Sequence, residues 1–219
     1  MKRIILISTF TALAFVGYSQ DEDADTSRTF KHDIGLNAIG MLRALFNSDE
    51  IDAVTPYLIS YNLDMGKTNF RLGIGPSFSS STETHEGFSD SQNNTKIDLD
   101  ARIGLGFDVI DQKRWVVRTG FDIIGGYHLD KTVDDTGFDK VTTENEEWNI
   151  GAGPFAQLIF RINDRISIST DAGLYFNHFN SRENELFENF PDFNNELSQT
   201  TGQKLEVFLP TSLFIHFHF

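Results

Sequence analysis

Cysteine is absent from this 219-residue chain, which excludes disulfides, thiol nucleophiles and cysteine-ligated metal sites. A thiol-free chain also suits an oxidising compartment, where it cannot mispair. Cations are outnumbered, with 18 Lys and Arg against 32 Asp and Glu, for a net charge of −14. Such a chain repels nucleic acid rather than binding it. Beyond the first 16 residues no apolar run is long enough to cross a bilayer as a helix. Any membrane crossing must then be made by strands. Proline is scarce, at 5 residues, whereas phenylalanine (21) and glycine (17) are plentiful.

The chain opens MKRIILISTFTALAFVGYSQ. Lys2 and Arg3, the short apolar run 4–16 and the small residues Gly17 and Ser19 read as a signal peptide over 1–19, cut before Gln20. Cleavage removes two cations and no acid, so the net charge moves from −14 to −16. Residues 20–29 are expected to form a short periplasmic segment, with one domain over 30–219.

Hydrophobicity then alternates with period two rather than 3.6. In the stretch 96–108, Ile97, Leu99, Ala101, Ile103, Leu105 and Phe107 share one face, while Asp98, Asp100, Arg102, Gly104 and Gly106 share the other. The same alternation recurs around Phe70–Leu72–Ile74, Trp115–Phe121–Ile123, Ile166–Leu174–Phe176 and Leu205–Phe219. Weaker versions lie at 30–40 and 57–64. In 148–160 the pattern is broken by Phe155 and Ile159, which implies a bulge or a filled interior. Eight strands are expected.

Their connections alternate in length. Short polar turns are expected at 66–69, 111–113 and 163–165, and long acidic loops at 82–94, 131–146 and 179–202, with a shorter one at 47–52. That order fits an up-and-down antiparallel ring with two unlike ends. One face of the strands is nearly free of charge and carries Trp115, Tyr127, Trp148, Tyr57 and Phe176 as an aromatic girdle. The other face holds Arg71, Asp98, Asp100, Arg102, Arg118, Asp122, Asp171 and Glu206 among glycines. Mixed charges and small residues suit a narrow interior filled by ion-paired side chains. The expected fold is therefore all-β: an eight-stranded, up-and-down transmembrane β-barrel with short periplasmic turns and long extracellular loops.

The motifs LGIGPSF, RIGLGF and NIGAGPF and the ending SLFIHFHF make the chain resemble small outer-membrane β-barrels of the OmpA/OmpX kind, and the PorT-like outer-membrane protein β-barrel domain family in particular. The resemblance implies that Leu213, Ile215, Phe217 and Phe219 form the signal read by the barrel-insertion machinery. It also implies an outer-membrane location among lipids and lipopolysaccharide. It says little about activity, because such barrels host many functions.

Chemistry-bearing candidates are few. The Gly-x-Gly pairs lack the helix and lysine of a phosphate loop and read as interior strand glycines. His216 and His218 share one face; a metal needs further ligands, and a hydrogen bond to Asp33 across the closing seam is the favoured reading. The loop acids, among them Glu83, Glu86, Asp134, Asp135, Asp139, Glu144, Glu147, Glu183, Glu188 and Asp192, read as solvated, with divalent-cation bridging to lipopolysaccharide as the sharper reading. Phe187, Phe190 and Phe193 are expected to cap the barrel mouth. His178 and Ser181 are weighed as a lipid-modifying pair and set aside, because their spacing departs from the His-x-Ser pattern of lipid A deacylases. No catalytic residue, cofactor or metal is assigned. The expected role is a non-enzymatic one, structural or through surface contact by the acidic loops. The alternatives are a narrow channel for ions or small solutes and an outer-leaflet lipid-modifying enzyme.

Overall fold

A computed structural model describes residues 31–39, 56–84, 91–135, 139–190, 192, 195–210 and 212–219. The expected signal peptide, the segment 20–29, the stretch 47–52 and Phe193 lie outside them.

Among the described residues nine strands follow in order: β1 (Lys31–Asn37), β2 (Ile59–Asp64), β3 (Thr68–Thr84), β4 (Ser91–Asp111), β5 (Trp115–Asp135), β6 (Lys140–Arg161), β7 (Ile166–Phe187), β8 (Asn195–Phe208) and β9 (Phe214–His218). Every pairing is antiparallel between chain neighbours, except that β9 joins β1 and β7, which closes the sheet into a ring. Asp33 lies opposite His218 and Ile166 opposite Phe217 at this seam.

Nine strands stand where alternation predicts eight, because the final strand is broken. Phe208 pairs with Gly173 and Phe214 with Ser169, so five residues separate the two pairs on one side of the ladder and three on the other. Pro210 sits in the break, where its missing N–H removes a ladder bond. An excess of two residues leaves parity unchanged. Leu205 and Val207 before the break, and Leu213 and Phe217 after it, all point outward.

The long acidic loops are mostly ladder. Thr84 pairs with Ser91, Asp135 with Lys140 and Glu185 with Asn195. β4 to β7 thus run 21 or 22 residues each, about 70 Å at the usual rise. Their outer halves are polar on both faces. Cross-strand pairs hold them together: Lys96–Asp130 at 2.8 Å, Lys131–Glu144 at 2.6 Å and a Thr132–Asn94 hydrogen bond at 2.8 Å. Asp130, through its hydrogen bond and its charge, holds the Lys96 ammonium above the usual lysine range. At the other end β2–β3, β4–β5 and β6–β7 are joined by three or four residues, and Gly66 takes the left-handed φ of +82° that its turn requires.

The lower halves carry an outward apolar belt that includes Leu72, Ile103, Leu105, Phe121, Ile123, Ile150, Leu158 and Phe176. Tyr127 and Trp148 stand opposite each other at its upper edge, and Trp115 packs on Phe160 (4.5 Å between ring centroids) near the turns. Tyr57 does not join this girdle. It precedes β2, turns inward and is buried with Ile124, Tyr175 and Phe214. Phe155 also faces inward, with no register shift in its ladder to β7; the interior is filled rather than the strand bulged.

Strand crowding by backbone explains several glycines, Gly153 among them. A Cβ on Gly153 would lie 1.9 Å from the carbonyl oxygen of Leu174, and backbone cannot swing away as a side-chain tip can. Gly153→Ala is expected to destabilise the ring by about 1–3 kcal/mol through overpacking, measured by urea unfolding. Gly125→Ala, whose Cβ meets only one atom at 3.5 Å, serves as the tolerated comparison.

Candidate functional site

The interior is built by inward positions of β1 to β9, and its charged groups fall into layers. In the middle layer, Arg71 on β3 reaches Asp122 on β5 at 3.0 Å and Asp171 on β7 at 3.2 Å. Arg102 on β4 reaches Asp171 at 2.7 Å. Tyr175 donates its hydroxyl to Asp122 at 2.7 Å, and the Gln157 amide donates to Asp171 at 3.3 Å. The guanidinium of Arg71 lies 3.7 Å from the centre of the Phe155 ring, and that of Arg102 lies 4.4 Å from the Tyr57 ring. Two cations and two carboxylates balance, and aromatic rings close the space around them. All four charged side chains are buried. Such a layer is a plug: charge is neutralised locally and the cations stack where water would otherwise stand.

Towards the short turns, Arg118 bonds Asp108 at 2.6 Å and Asp64 at 2.7 Å. Asp64 and Asp108 sit at inward positions that the sequence reading did not gather into the network; the turns at 65–67 and 112–114 bring their strand ends together. At the seam, Asp33, His216 and Ser169 form a chain, with Ser169 Oγ 2.7 Å from His216 Nε2 and His216 Nδ1 2.8 Å from Asp33 Oδ1. His218 extends the chain to Ser167 at 2.8 Å, and Asn62 donates to Asp33 at 2.7 Å. The order Ser–His–Asp is that of a nucleophile relay. Ser169 and His216 are each only 2% exposed, however, so the hydroxyl presents nothing to a substrate. The chain satisfies buried polar groups between the first and last strands. The two histidines therefore meet a carboxylate and hydroxyls. Among the described residues no group of three or more His, Cys, Asp or Glu is placed to hold a metal.

Towards the long-strand end, His128 bonds Asp98 at 3.0 Å and approaches Asp100 at 3.8 Å. Lys204 bonds Glu206 at 2.9 Å and Glu147 at 3.6 Å, and Asn177 donates to Glu206. This layer contains more acid than base. The eight interior charges named from the sequence thus belong to separate groups: Arg71, Arg102, Asp122 and Asp171 in the plug, Arg118 below it, and Asp98, Asp100 and Glu206 above it.

The remaining candidates disperse. His178 packs edge-on against Trp148 at 5.9 Å, while Ser181 donates to Asn145 at 3.1 Å, so the two serve different neighbours. Asp139 accepts from the backbone N–H groups of Lys140 and Asn189; it shapes a turn. Leu213, Phe217 and Phe219 face outward, and the Phe219 ring stacks on His32 at 5.9 Å and 12°.

A closed antiparallel ring with an apolar outer belt and a charge-neutral plug is the class of protein that these elements define. No family model matches the chain, and no curated protein is similar to it at a significant level. Two solved structures align along most of it. A major outer membrane protein of Thermus thermophilus aligns with 88% of this chain and 100% of its own, at 11% identity and a TM-score of 0.39. CarO of Acinetobacter baumannii aligns with 90% of this chain and 100% of its own, at 7% identity and a TM-score of 0.36.

Proposed function

We propose that this chain is a non-enzymatic outer-membrane β-barrel, exported by residues 1–19, with eight wall positions of which β8 and β9 share one. Its role on this reading is structural or adhesive, with the acidic outer half meeting the lipopolysaccharide layer or a surface partner. The outward stripe Leu213, Ile215, Phe217 and Phe219 serves as the contact for the barrel-insertion machinery. The small outer-membrane and PorT-like families remain the working description of such a chain. The observation that carries the reading is the apolar belt. Large side chains that any water-soluble ring would bury are instead turned outward on every long strand, which hydrocarbon accommodates and water does not. The neutral plug of Arg71, Arg102, Asp122 and Asp171 supports a barrel that does not conduct.

Two measurements test this. The purified full chain, folded in phospholipid vesicles, is expected to migrate differently on a detergent gel before and after boiling. In planar bilayers it is expected to show no steady single-channel steps. Unchanged migration sinks the barrel reading; reproducible steps replace the structural role by a narrow channel.

A further inference from the structure

The two ends of the ring differ in charge. At the short turns, Lys67 follows Gly66 between β2 and β3, Lys113 and Arg114 lie between β4 and β5, and Arg165 ends the link between β6 and β7. Backbone bonds fix each turn. The N–H groups of Met65 and Gln112 donate to the carbonyls of Thr68 and Trp115 at 2.8 Å, and Asn163 Oδ1 accepts from the N–H groups of Arg165 and Ile166. All four cations are exposed, and among the described residues none of them is ion-paired. The neighbouring acids are already engaged: Asp64 and Asp108 bond Arg118, and Asp111 bonds Arg161 at 2.7 Å. On the long strands, by contrast, Lys96, Lys131, Lys140 and Lys204 each meet a carboxylate. Among its described residues, a chain of net charge −14 thus gathers its unpaired cations at one end.

The same rim is apolar as well as basic. Ile110, Trp115 and Ile162 are 42%, 46% and 56% exposed, and Trp115 packs on Phe160. Ile162 stands inside a turn, between Arg161 and Asn163. Apolar side chains and an indole interleaved with cations suit the boundary between hydrocarbon and headgroups. The rings and isoleucines stay at the edge of the hydrocarbon, while long basic side chains extend to the headgroups. An acidic peptide would match the cations and leave Ile110, Trp115 and Ile162 in water. A bilayer leaflet that contains anionic phospholipid matches both sets of side chains.

We propose that the short-turn rim recruits anionic phospholipid, with Lys67, Lys113, Arg114 and Arg165 as its headgroup contacts. The four cations lie on three different turns, so they draw several lipids to the rim rather than clasping one. Each basic side chain near an anionic surface raises the local share of that lipid about fivefold. The inference rests on the barrel reading above, since headgroups stand at this height only if the apolar belt lies in a bilayer.

Tryptophan quenching tests this, because the chain has two tryptophans, Trp115 near the short turns and Trp148 at the upper edge of the belt. The full chain with Trp148→Phe is folded in phosphatidylcholine vesicles that hold a minor share of phosphatidylglycerol. Bromine is placed high on the acyl chains of one lipid at a time, at the same share. Brominated phosphatidylglycerol is expected to quench Trp115 as though its local share were about fivefold its bulk share. Brominated phosphatidylcholine should report its bulk share. The enrichment should vanish when Lys67→Gln, Lys113→Gln, Arg114→Gln and Arg165→Gln are combined. It should also fade near 1 M salt, where the screening length falls to about 3 Å, a readout that needs no charge variant. In Trp115→Phe, the remaining Trp148 adjoins Glu146 on the same strand face and should show no enrichment. Equal quenching of Trp115 by the two lipids overturns the inference. So does an enrichment that survives both the glutamines and the salt, or one equally large at Trp148. Quenching of neither tryptophan by either lipid overturns the barrel reading as well.

Discussion

Asp171→Ala is expected to destabilise the folded ring by about 3–5 kcal/mol, the magnitude for removing one partner from a buried ionic group. The size follows from what is left behind. Asp171 accepts from Arg102 at 2.7 Å and Arg71 at 3.2 Å, and both guanidinium groups are buried. Without it, two cations share the single carboxylate of Asp122, which already accepts from Tyr175. Neither arginine can swing to water, because Phe155 and Tyr57 pack against their faces. Gln157 also loses an acceptor. Equilibrium urea unfolding in phospholipid vesicles reads the loss. A surface pair gives the scale: Lys96→Ala breaks the exposed bridge to Asp130 and is expected to cost about 1 kcal/mol or less. Adding Arg102→Met to Asp171→Ala should recover part of the loss, since it removes an uncompensated cation and keeps apolar volume over Tyr57. If Asp171→Ala unfolds like the parent, the middle layer is hydrated and the plug assignment fails.

The alternation that exposed the strands also hid their details. Period two reports a strand only where its faces differ. It therefore stops near Lys96, Leu129 and Trp148, although the ladder runs on to Ser91, Asp135 and Lys140. In that outer half both faces are wet, and Thr, Asn and Glu satisfy the backbone ladder as well as any residue. The break at 209–213 was hidden for a different reason. Two extra residues return the chain to the face it left, so Leu205 to Phe219 reads as one strand.

Interior charges were legible as a set because hydrophobic neighbours flank each of them. Their partners were not. Whether Arg71 meets Asp122 or Asp98 depends on strand stagger, which alternation leaves undetermined. Interior aromatics were harder still. Tyr175 and Phe155 occupy inward positions where polar residues were expected, and Tyr57 lies just ahead of its strand. A narrow lumen needs bulk as well as charge, and rings provide it. Asp33 and His216 were the exception: closure must set the last strand beside the first, so their contact followed from topology alone.

The outward belt yields the sharpest separation between a membrane barrel and a ring in water. Ile123→Arg places a cation in the middle of the belt, between Ile103 on β4 and Ala152 on β6. Its side chain is already 52% exposed, so in water the arginine would extend freely and cost within about 0.5 kcal/mol, as surface substitutions do. At the midplane of a bilayer the same change costs about 2–4 kcal/mol. The expected result is a loss of that size in vesicles, and a much smaller one for Ile97→Arg, which sits nearer the polar outer half and lets the guanidinium reach the interface. The depth dependence is the discriminating observation. A water-exposed sheet treats the two positions alike, whereas a bilayer ranks them by distance from its centre. Equal, small effects at both would mean that the belt never meets lipid, and the barrel would have to find another partner for its outward isoleucines.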